Sequence, residues 1–349
     1  MEEQIFKVAA VQAAPVFMDR PATVLKTIDY INEAAAQGCR LIVFPECWIP
    51  GYPWYIWLNA TALNMRYFKD YYANCLSFDS DDYQTIADAA AKAGIFVSLG
   101  ASEKSNGSVY IAQFLIDPQG KTLTARRKLK PTHMERTVFG EGNGSDLTIA
   151  ETALGRIGQL ACWEHLQPLS KFAMYSLHEQ IHCAAWPSFS CYPEAFSLGP
   201  EANTSASQIY ALEGGCFVVA ACGLVSPDMI EMLVENEIHA QLLKQGGGHA
   251  RIFAPDGRSL AEPLPENAEG ILVADIDVED IVLAKAFNDP VGHYSRPDVT
   301  QLLVNWRSKP PTIDEQATMT SLHKGRAEPE APEQDDFVQE DAVSPQQAI

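Results

Sequence analysis

One stretch of the chain constrains its fold and chemistry more than any other. Residues 157–165, Ile-Gly-Gln-Leu-Ala-Cys-Trp-Glu-His, begin as an apolar run typical of a buried strand and end in Cys162 and its neighbours. Pro168 then suits a first helical turn, which predicts a helix from Leu169 to about His178. A thiol at such a junction is aimed by rigid structure, and helix amides favour its ionised form. The competing interpretation is a buried, unreactive thiol, since free cysteines often pack as small apolar groups.

The rest of the chain alternates strand-like runs with helical patterns, which predicts a mixed sheet covered by helices. The expected strands are Lys7–Gln12, Leu41–Phe44, Ile95–Gly100, Val109–Ile116, Lys121–Ala125, Ile157–Ala161, Ile181–Ala185, Cys216–Cys222, Ala250–Ala254 and Gly270–Ile276. The expected helices are Pro21–Gln37, Asp81–Ala93, Leu169–His178, Ala202–Glu213, a broken Met229–Leu243 and Val278–Ala286. Composition is continuous up to about Lys309, so we expect one domain over residues 1–310 and a separate tail over 311–349.

The charge of the chain is strongly acidic, with a formal net value of −20 at pH 7. This disfavours nucleic acid and anionic membrane as partners. Residues 327–349 contain seven acids and no Lys or Arg, and their composition predicts a disordered tail. The eight cysteines form no C-x-x-C pair and most lie in apolar runs, which indicates a reducing compartment. Without a signal-peptide or membrane-spanning pattern, we expect a soluble cytoplasmic protein.

Three reactive side chains follow or end predicted strands. Glu46 comes shortly after Leu41–Phe44, Lys128 follows the basic end of a predicted hairpin, and Cys162 ends its own strand. Strand ends in an α/β sheet meet at one edge, so these groups are expected to converge. A lysine beside a thiol favours the thiolate, and a carboxylate can take and return protons. The pattern therefore predicts a cysteine hydrolase, although spacing alone leaves a solvated basic face and a strand-end glutamate as alternatives.

Three ordered motifs resemble the nitrilase branch of the carbon–nitrogen hydrolase superfamily. The motifs are Phe44-Pro45-Glu46, Arg127-Lys128-Leu129-Lys130-Pro131-Thr132-His133 and Ala161-Cys162-Trp163-Glu164-His165. The stretches Ala185–Ser190 and Asp289–Asp298 are similar to microbial nitrilases, and to the arylacetonitrilase group in particular. The similarity extends from about Phe6 to Trp306. It implies a four-layer αββα sandwich and a homodimer that extends into a helical homo-oligomer.

The resemblance also implies a role for each catalytic residue. Cys162 is expected to be the nucleophile, Glu46 the general base, and Lys128 the cation that stabilises the tetrahedral species, with Lys130 as the second choice. Glu135 matches a second glutamate of the family that positions the substrate and the lysine. The implied reaction adds two waters to a nitrile through a thioimidate and a thioester, releases ammonia and a carboxylic acid, and needs no cofactor and no metal.

The substrate pocket is predicted less directly. Aromatic residues after Glu46 and after a core strand either line an apolar pocket or pack as core. The substrate-binding candidates are Trp54, Tyr55, Thr132, Trp163, His165, Trp186 and Phe189. Many relatives carry Asn where this chain has His165, which we interpret as an influence on substrate choice. Phenylacetonitrile-like and mandelonitrile-like substrates are favoured, with aliphatic nitriles second.

Two other activities compete with nitrile hydrolysis. An amidase or carbamoylase of the same superfamily would use the same three residues, and Glu135 does not separate the two branches. The run from His178 to His182 fits H-E-x-x-H, a zinc peptidase pattern that requires both histidines on one helical face. Because residues 181–185 are expected to form a strand, His182 is predicted to lie beyond the helix and zinc binding is disfavoured.

Overall fold

The structure, a computed structural model, describes residues 5–309 of the 349-residue chain. The strands are β1 (Ile5–Ala13), β2 (Cys39–Val43), β3 (Phe96–Ser105), β4 (Ser108–Ile116), β5 (Thr122–Arg127), β6 (Ile149–Thr152), β7 (Gly155–Ala161), β8 (Ile181–Trp186), β9 (Phe217–Gly223), β10 (Arg251–Phe253) and β11 (Gly270–Asp277). The helices are α1 (Arg20–Ala36), α2 (Thr61–Asn74), α3 (Asp81–Ala93), α4 (Pro168–Ser176), α5 (Pro200–Gly214), α6 (Pro227–Leu233), α7 (Glu237–Leu242) and α8 (Asp280–Phe287).

Local sequence explains why these elements begin and end where they do. The Ser80 side chain caps α3 by accepting a hydrogen bond from the Tyr83 amide, and Gly94 ends the helix in the left-handed conformation. Proline stands in the first turn of α1, α4, α5 and α6, where no intrahelical donor is lost. Strand β1 is apolar on both faces, because both of its faces are covered.

The strands form one connected sheet in the order β5-β4-β3-β2-β1-β9-β8-β7-β6, with β11 antiparallel to β1 and β10 antiparallel to β9. The junction between β1 and β9 is short: only Gln12 pairs with Cys222 and Ala13 with Gly223. We call β1–β5 with β11 the first half-sheet and β6–β10 the second half-sheet. The short junction lets the two half-sheets fold face to face.

Contacts between facing strands establish the sandwich. The Gln113 amide on β4 donates to the Leu160 carbonyl on β7 at 3.2 Å, and Gln159 on β7 donates to Ser98 on β3 at 2.8 Å. Helices α1 and α3 pack on the outer face of the first half-sheet, and α4 and α5 pack on that of the second. The architecture is therefore the four-layer αββα sandwich expected from the sequence.

The structure confirms the predicted strands and helices with end shifts of a few residues, except Ile95–Gly100, whose strand runs on to Ser105. It adds two elements that were not predicted, helix α2 and strand β6, and it divides the broken helix over residues 229–243 into α6 and α7. All eight cysteines are free and buried. Across residues 5–309, every helix is too short or too polar to cross a bilayer. The predicted acidic tail lies outside the described residues.

Candidate active site

Cys162 lies where the sequence places it, at the end of β7 and at the start of a 3-10 turn, Cys162–Leu166. Its backbone has a φ of +50°, which is uncommon for a residue with a side chain and typical of functional sites. The residue is only 7% exposed, and the neighbouring backbone N–H of Trp163 favours the thiolate, which lowers the pKa of the thiol against the larger effect of burial. The thiol is thus held at a strand end rather than packed at random in the core.

Two glutamates and a lysine gather beside this thiol. The Lys128 ammonium, just past β5, lies 2.8 Å from Glu46 Oε1 and 2.8 Å from Glu135 Oε2. Glu46 follows β2, and Glu135 lies in a 3-10 turn whose N-terminal Thr132 amide donates to Glu135 Oε2 at 2.6 Å. All three charged side chains are at least 97% buried. We call Glu46, Lys128, Glu135 and Cys162 the front cluster.

The geometry of the front cluster allows proton transfer from sulfur to carboxylate. The Cys162 sulfur and one oxygen from each of Glu46 and Glu135 lie within 4.8 Å of one another. Glu46 Oε2 is buried and has no hydrogen-bond partner among the described residues, so it is free to accept a proton. The same three groups have the spacing of a metal site, but the Lys128 ammonium already bonds both carboxylates and would repel a cation.

Electrostatics favour the protonated forms of Glu46, Cys162 and Lys128 in the resting front cluster. Burial raises the pKa of Glu46 to about 8, and Glu135 adds to the rise while Lys128 opposes it. Burial also raises the pKa of the Cys162 thiol well above its ordinary value, with Glu46 acting in the same direction. Burial alone would lower the pKa of Lys128, but Glu135 and Glu46 outweigh it and hold that pKa well above its ordinary value. The lysine therefore stays cationic.

A second buried ion pair ties the lysine strand to the cysteine strand. Glu164 Oε1 accepts from Arg126 at 2.7 Å and from the Leu129 amide at 2.9 Å, while Glu164 Oε2 accepts from the Ala161 amide at 2.9 Å. Burial would raise the pKa of Glu164, but Arg126 outweighs it and keeps that pKa below its ordinary value. One carboxylate thus fixes the residues that flank both Lys128 and Cys162.

A pocket with aromatic walls opens above the sulfur. Its lining residues are Tyr52, Trp54, Trp57, Thr132, Glu135, Cys162, Trp163, Pro187, Ser188, Phe189, Cys191, Leu198 and Asn203. Four of the predicted substrate-binding residues are among them, namely Trp54, Thr132, Trp163 and Phe189. Glu46 lines an adjoining hollow that shares Tyr52, Trp54, Pro187 and Ser188 with this pocket.

Three predicted substrate-binding residues do not line the pocket. Tyr55 is 1% exposed and packs between Tyr67 and Tyr71. Trp186 is 2% exposed and donates its indole N–H to a serine hydroxyl in the core. His165 is 1% exposed and lies behind the cysteine, with both ring nitrogens engaged by protein atoms. These three side chains therefore have a structural environment that the sequence pattern did not distinguish from a pocket wall.

The alternative lysine lies outside the site. Lys130 is 58% exposed and pairs with Glu141 at the surface. Its side chain points to solvent whereas Lys128 is buried in the sandwich, because the chain bends over residues 129–130 and breaks the strand alternation that would put residues 128 and 130 on the same face. The choice of Lys128 over Lys130 thus agrees with the geometry.

Among the seven pocket residues that were not predicted as site residues, Tyr52 and Asn203 hydrogen-bond to predicted ones. Tyr52 donates its hydroxyl to Glu135 Oε1 at 3.0 Å and accepts from the Trp57 indole at 3.2 Å. Asn203 on α5 accepts from the Trp163 indole at 2.9 Å and so fixes that ring. Tyr52 stood in the aromatic loop noted in the sequence, but Asn203 carries no local signal because its contact depends on tertiary packing.

The H-E-x-x-H run does not form a zinc peptidase site. Helix α4 ends at Ser176, His178 is exposed, and His182 is buried on β8. The two histidines therefore do not share a helical face. Glu179 instead bonds the ring of His182 at 2.7 Å, which places both in the core.

A strand-end thiol beside a buried carboxylate and ammonium defines a cysteine hydrolase, and comparison with known proteins identifies the family. The family model described as carbon-nitrogen hydrolase matches residues 7–286. The chain belongs to the carbon–nitrogen hydrolase family.

Similar proteins place the chain in the nitrilase branch of this family. The chain is 57% identical over 309 residues to a protein named nitrilase from Pseudomonas syringae pv. syringae, covering 88% of this chain and 92% of that protein. It is 53% identical over 332 residues to a protein named arylacetone-specific nitrilase from Alcaligenes faecalis, covering 95% and 91%. It is 49% identical over 320 residues to a protein named aliphatic nitrilase from Rhodococcus rhodochrous, covering 91% and 87%.

Solved structures support the same fold. The C. elegans NitFhit protein superposes with a TM-score of 0.68 at 19% identity, covering 89% of this chain and 70% of that chain. A carbon-nitrogen hydrolase from Helicobacter pylori G27 also gives a TM-score of 0.68, at 16% identity and covering 84% and 96%. At these identities the likeness concerns the fold alone.

Proposed function

We propose that this chain hydrolyses arylacetonitriles and related aromatic nitriles to carboxylic acids and ammonia, with Cys162 as the nucleophile. The observation on which the proposal rests is the front cluster itself: a sulfur within 4.8 Å of two carboxylate oxygens, beside a buried ammonium, under a pocket with aromatic walls. The relative named nitrilase supports nitrile hydrolysis, and the relative named arylacetone-specific nitrilase supports an aryl substrate.

In the first half of the reaction, the Cys162 thiol gives its proton to Glu46 and the sulfur attacks the nitrile carbon. The nitrile nitrogen takes that proton, so a thioimidate forms and Glu46 returns to its carboxylate form. A water activated by Glu46 then adds to the thioimidate carbon. The Lys128 ammonium stabilises the charge of the tetrahedral species, because it is cationic, buried and preorganised by Glu46 and Glu135.

In the second half, Glu46 carries both protons of that water to the nitrogen, the first as the water adds and the second as the hydroxyl becomes a carbonyl, and the carbon–nitrogen bond breaks to release ammonia. The acyl group remains on sulfur as a thioester. A second water, again deprotonated by Glu46, attacks the thioester carbonyl. The carbon–sulfur bond breaks, the acid departs and the thiol is restored, so two waters and one nitrile give one acid and one ammonia.

The aromatic walls support the choice of aryl substrates. Tyr52, Trp54, Trp57, Trp163 and Phe189 surround the entrance to the sulfur. Aromatic rings bind other rings by offset or edge-to-face contacts as well as by burial of apolar surface. Glu135, which lines the pocket and bonds the Lys128 ammonium, provides a polar group that orients the nitrile. An aliphatic nitrile is the second candidate, since the relative from Rhodococcus rhodochrous is named for that class.

A panel assay tests the proposal. Purified chain is incubated with phenylacetonitrile, benzonitrile, butyronitrile and phenylacetamide, and ammonia and acid are measured together. We expect phenylacetonitrile to be consumed fastest with acid and ammonia in equal amounts, and Cys162→Ala to have no turnover while keeping the wild-type melting temperature. Turnover of phenylacetamide without turnover of any nitrile would identify an amidase instead, and an active Cys162→Ala protein would exclude the thiol mechanism.

We further infer that the chain assembles as a homodimer that extends into a larger helical homo-oligomer and works in the cytoplasm. Large apolar side chains on α8 support the assembly, because Val282, Leu283 and Phe287 are each at least 66% exposed. Eight free thiols support a reducing compartment. Light scattering of the purified chain measures the mass of the assembly.

A further inference from the structure

A chain of buried polar side chains leads from the nucleophile into the core and takes no part in the chemistry above. His165 Nδ1 lies 2.6 Å from the Cys162 carbonyl oxygen, and His165 Nε2 lies 2.8 Å from His182 Nε2. His182 Nδ1 lies 2.7 Å from Glu179 Oε1, and the Tyr210 hydroxyl donates to Glu179 Oε2 at 2.7 Å. Each of the four side chains is at least 98% buried. We call His165, His182 and Glu179 the rear chain.

Donor and acceptor capacity fixes where most of the protons are. The Cys162 carbonyl can only accept, so His165 Nδ1 must carry a hydrogen. Burial, and next the charge of His182, lower the pKa of His165 well below its ordinary value, so that ring is neutral and its Nε2 accepts. His182 Nε2 must then donate. The third proton lies between His182 Nδ1 and Glu179 Oε1.

The proton count makes the rear chain electrically balanced. Two neutral imidazoles and a carboxylate would hold two protons, but three hydrogen bonds require three. The extra proton cancels the charge of Glu179, so no net charge is buried. The His182 Nε2–H bond to His165 and the His165 Nδ1–H bond to the Cys162 carbonyl both run toward that carbonyl.

The far end of this sequence of bonds is the peptide group between Cys162 and Trp163. Its carbonyl accepts from His165, and its N–H stands next to the Cys162 sulfur and favours the thiolate, which lowers the pKa of the thiol. A hydrogen bond to the oxygen of a peptide polarises the group and strengthens its N–H as a donor. The same bond also holds the peptide plane against the left-handed φ of +50° at Cys162.

The surrounding structure is shaped to hold the rear chain. Gly158 on β7 leaves space for Glu179, because a Cβ at that position would lie 1.9 Å from Glu179 Oε1. The His165 ring stacks on Trp186 with ring centroids 4.9 Å apart, and the His182 ring stacks on Tyr210 at 3.9 Å. The rings therefore cannot turn freely, which preserves the direction of the bonds.

We propose that Glu179, His182 and His165 form a positioning chain, which holds the peptide between Cys162 and Trp163 by its carbonyl and polarises its N–H beside the nucleophilic sulfur. The rear chain touches no substrate and acts only through the peptide group. This proposal concerns the same cysteine as the proposed function and rests on it for its biological meaning. Thiol alkylation tests it without any nitrile, so the two proposals can fail separately.

The experiment measures the rate at which iodoacetamide alkylates Cys162 as a function of pH, read from the mass of the peptide that contains Cys162. The variants keep the other titratable groups that face the sulfur or the rear chain. These groups are Glu46, Lys128, Glu135, Arg126, Lys171, Tyr175, Tyr210 and Cys216. His165→Phe keeps a ring on Trp186 but removes the donor to the carbonyl. We expect its alkylation midpoint to rise by about one pH unit, with roughly tenfold slower alkylation below the midpoint.

Matched variants separate positioning from general damage. Glu179→Gln can still donate to His182 and accept from Tyr210, so we expect wild-type alkylation, whereas Glu179→Leu should slow it about threefold. His178→Asn is the control, because His178 belongs to the same sequence run but is exposed and outside the rear chain. A folded His165→Phe protein with a midpoint within about 0.2 pH units of wild type would overturn the proposal.

A second measurement reads the protonation of the rear chain in the wild-type protein. In wild-type protein labelled with ¹⁵N-histidine, the nitrogen shifts report which ring nitrogens carry protons, and His165→Phe or His182→Gln spectra serve only to assign the signals. We expect a His165 ring that is neutral and protonated on Nδ1 throughout the range from about pH 6 to about pH 9. A His165 ring protonated on Nε2 alone would overturn the proposal even if His165→Phe does not fold.

Discussion

The two sides of Cys162 are built on opposite principles. In the front cluster, Glu46 Oε2 has no hydrogen-bond partner among the described residues, and the carboxylates compete for one ammonium. In the rear chain, the ring nitrogens of His165 and His182 and both carboxylate oxygens of Glu179 have partners. The front is therefore able to change its protonation during a reaction, and the rear is able to keep its geometry while that happens.

This difference shows that burial alone does not make a polar group reactive. Glu46 and Glu179 are both glutamates with at most 3% exposure. Glu46 has an open oxygen beside a thiol, while Glu179 is saturated by His182 and Tyr210. Reactivity follows from the unpaired oxygen, because a buried acceptor without a donor gains most from taking a proton.

Removing the base of the front cluster is expected to give the largest effect. Glu46→Gln keeps the shape of the side chain but cannot accept the thiol proton, so kcat/KM should fall by about 10³-fold, within the range of general-base contributions. Steady-state kinetics with phenylacetonitrile and a thermal melt of the same sample measure both properties. Glu141→Gln is the matched control, because Glu141 also pairs with a lysine but at the surface. Equal activity of Glu46→Gln and wild type would remove Glu46 from the mechanism.

The dependence of kcat/KM on pH is expected to show an effect of intermediate size, and it tests the raised pKa of Glu46 in the front cluster. Because the pKa of Glu46 is raised to about 8, its ionised form is lost as the pH falls below that value. We therefore expect kcat/KM to rise about tenfold per pH unit up to the midpoint, so that activity at about pH 6 is about 100-fold below the plateau. Glu135→Gln should move the midpoint to lower pH, since Glu135 contributes to the rise. An acid limb near the ordinary value of a glutamate would contradict the raised pKa.

Adding a methyl group against the rear chain is expected to have the smallest of the three effects, and this effect is a loss of stability. Gly158→Ala directs a Cβ at Glu179 Oε1 and also toward Met174, at 1.9 and 2.8 Å. Overpacking of this kind lowers the free energy of unfolding by about 1–3 kcal/mol. Urea denaturation followed by circular dichroism measures the loss. Gly270→Ala is the matched control, because Gly270 like Gly158 has no positive φ and its added carbon would meet only Leu264, at an ordinary contact distance of 3.5 Å. Unchanged stability of Gly158→Ala would mean that Glu179 moves without cost.

Strand ends in the sequence pointed to Glu46, Lys128 and Cys162, but spacing left other interpretations open, and the roles of these residues were predicted from the three family motifs. Glu46 follows β2, Lys128 follows β5 and Cys162 follows β7. What the pattern did not contain is how they meet. Strands β2 and β7 are not neighbours in the sheet, and their ends come together because the two half-sheets stack.

Two kinds of information were missing from the sequence. Helix α2 was not predicted because it buries only Asn64 and Tyr71 and starts without a side-chain cap, so it has neither an apolar stripe nor a start signal. The positions of Tyr55 and His165 depend on tertiary packing, which no periodicity in an irregular loop or a single turn reveals. Aromatic composition therefore left open which rings line a pocket and which pack in the core.

The carboxylate of Glu164 has a consequence for how the substrate range can change. It joins Arg126, the Leu129 amide and the Ala161 amide, and so ties the strand that bears the lysine to the strand that bears the thiol. The pocket walls, in contrast, come largely from the loop around Trp54 and from the segment after β8. Engineers can therefore remodel those walls for a bulkier or slimmer nitrile while the spacing between sulfur and ammonium is preserved by a brace that no substrate reaches.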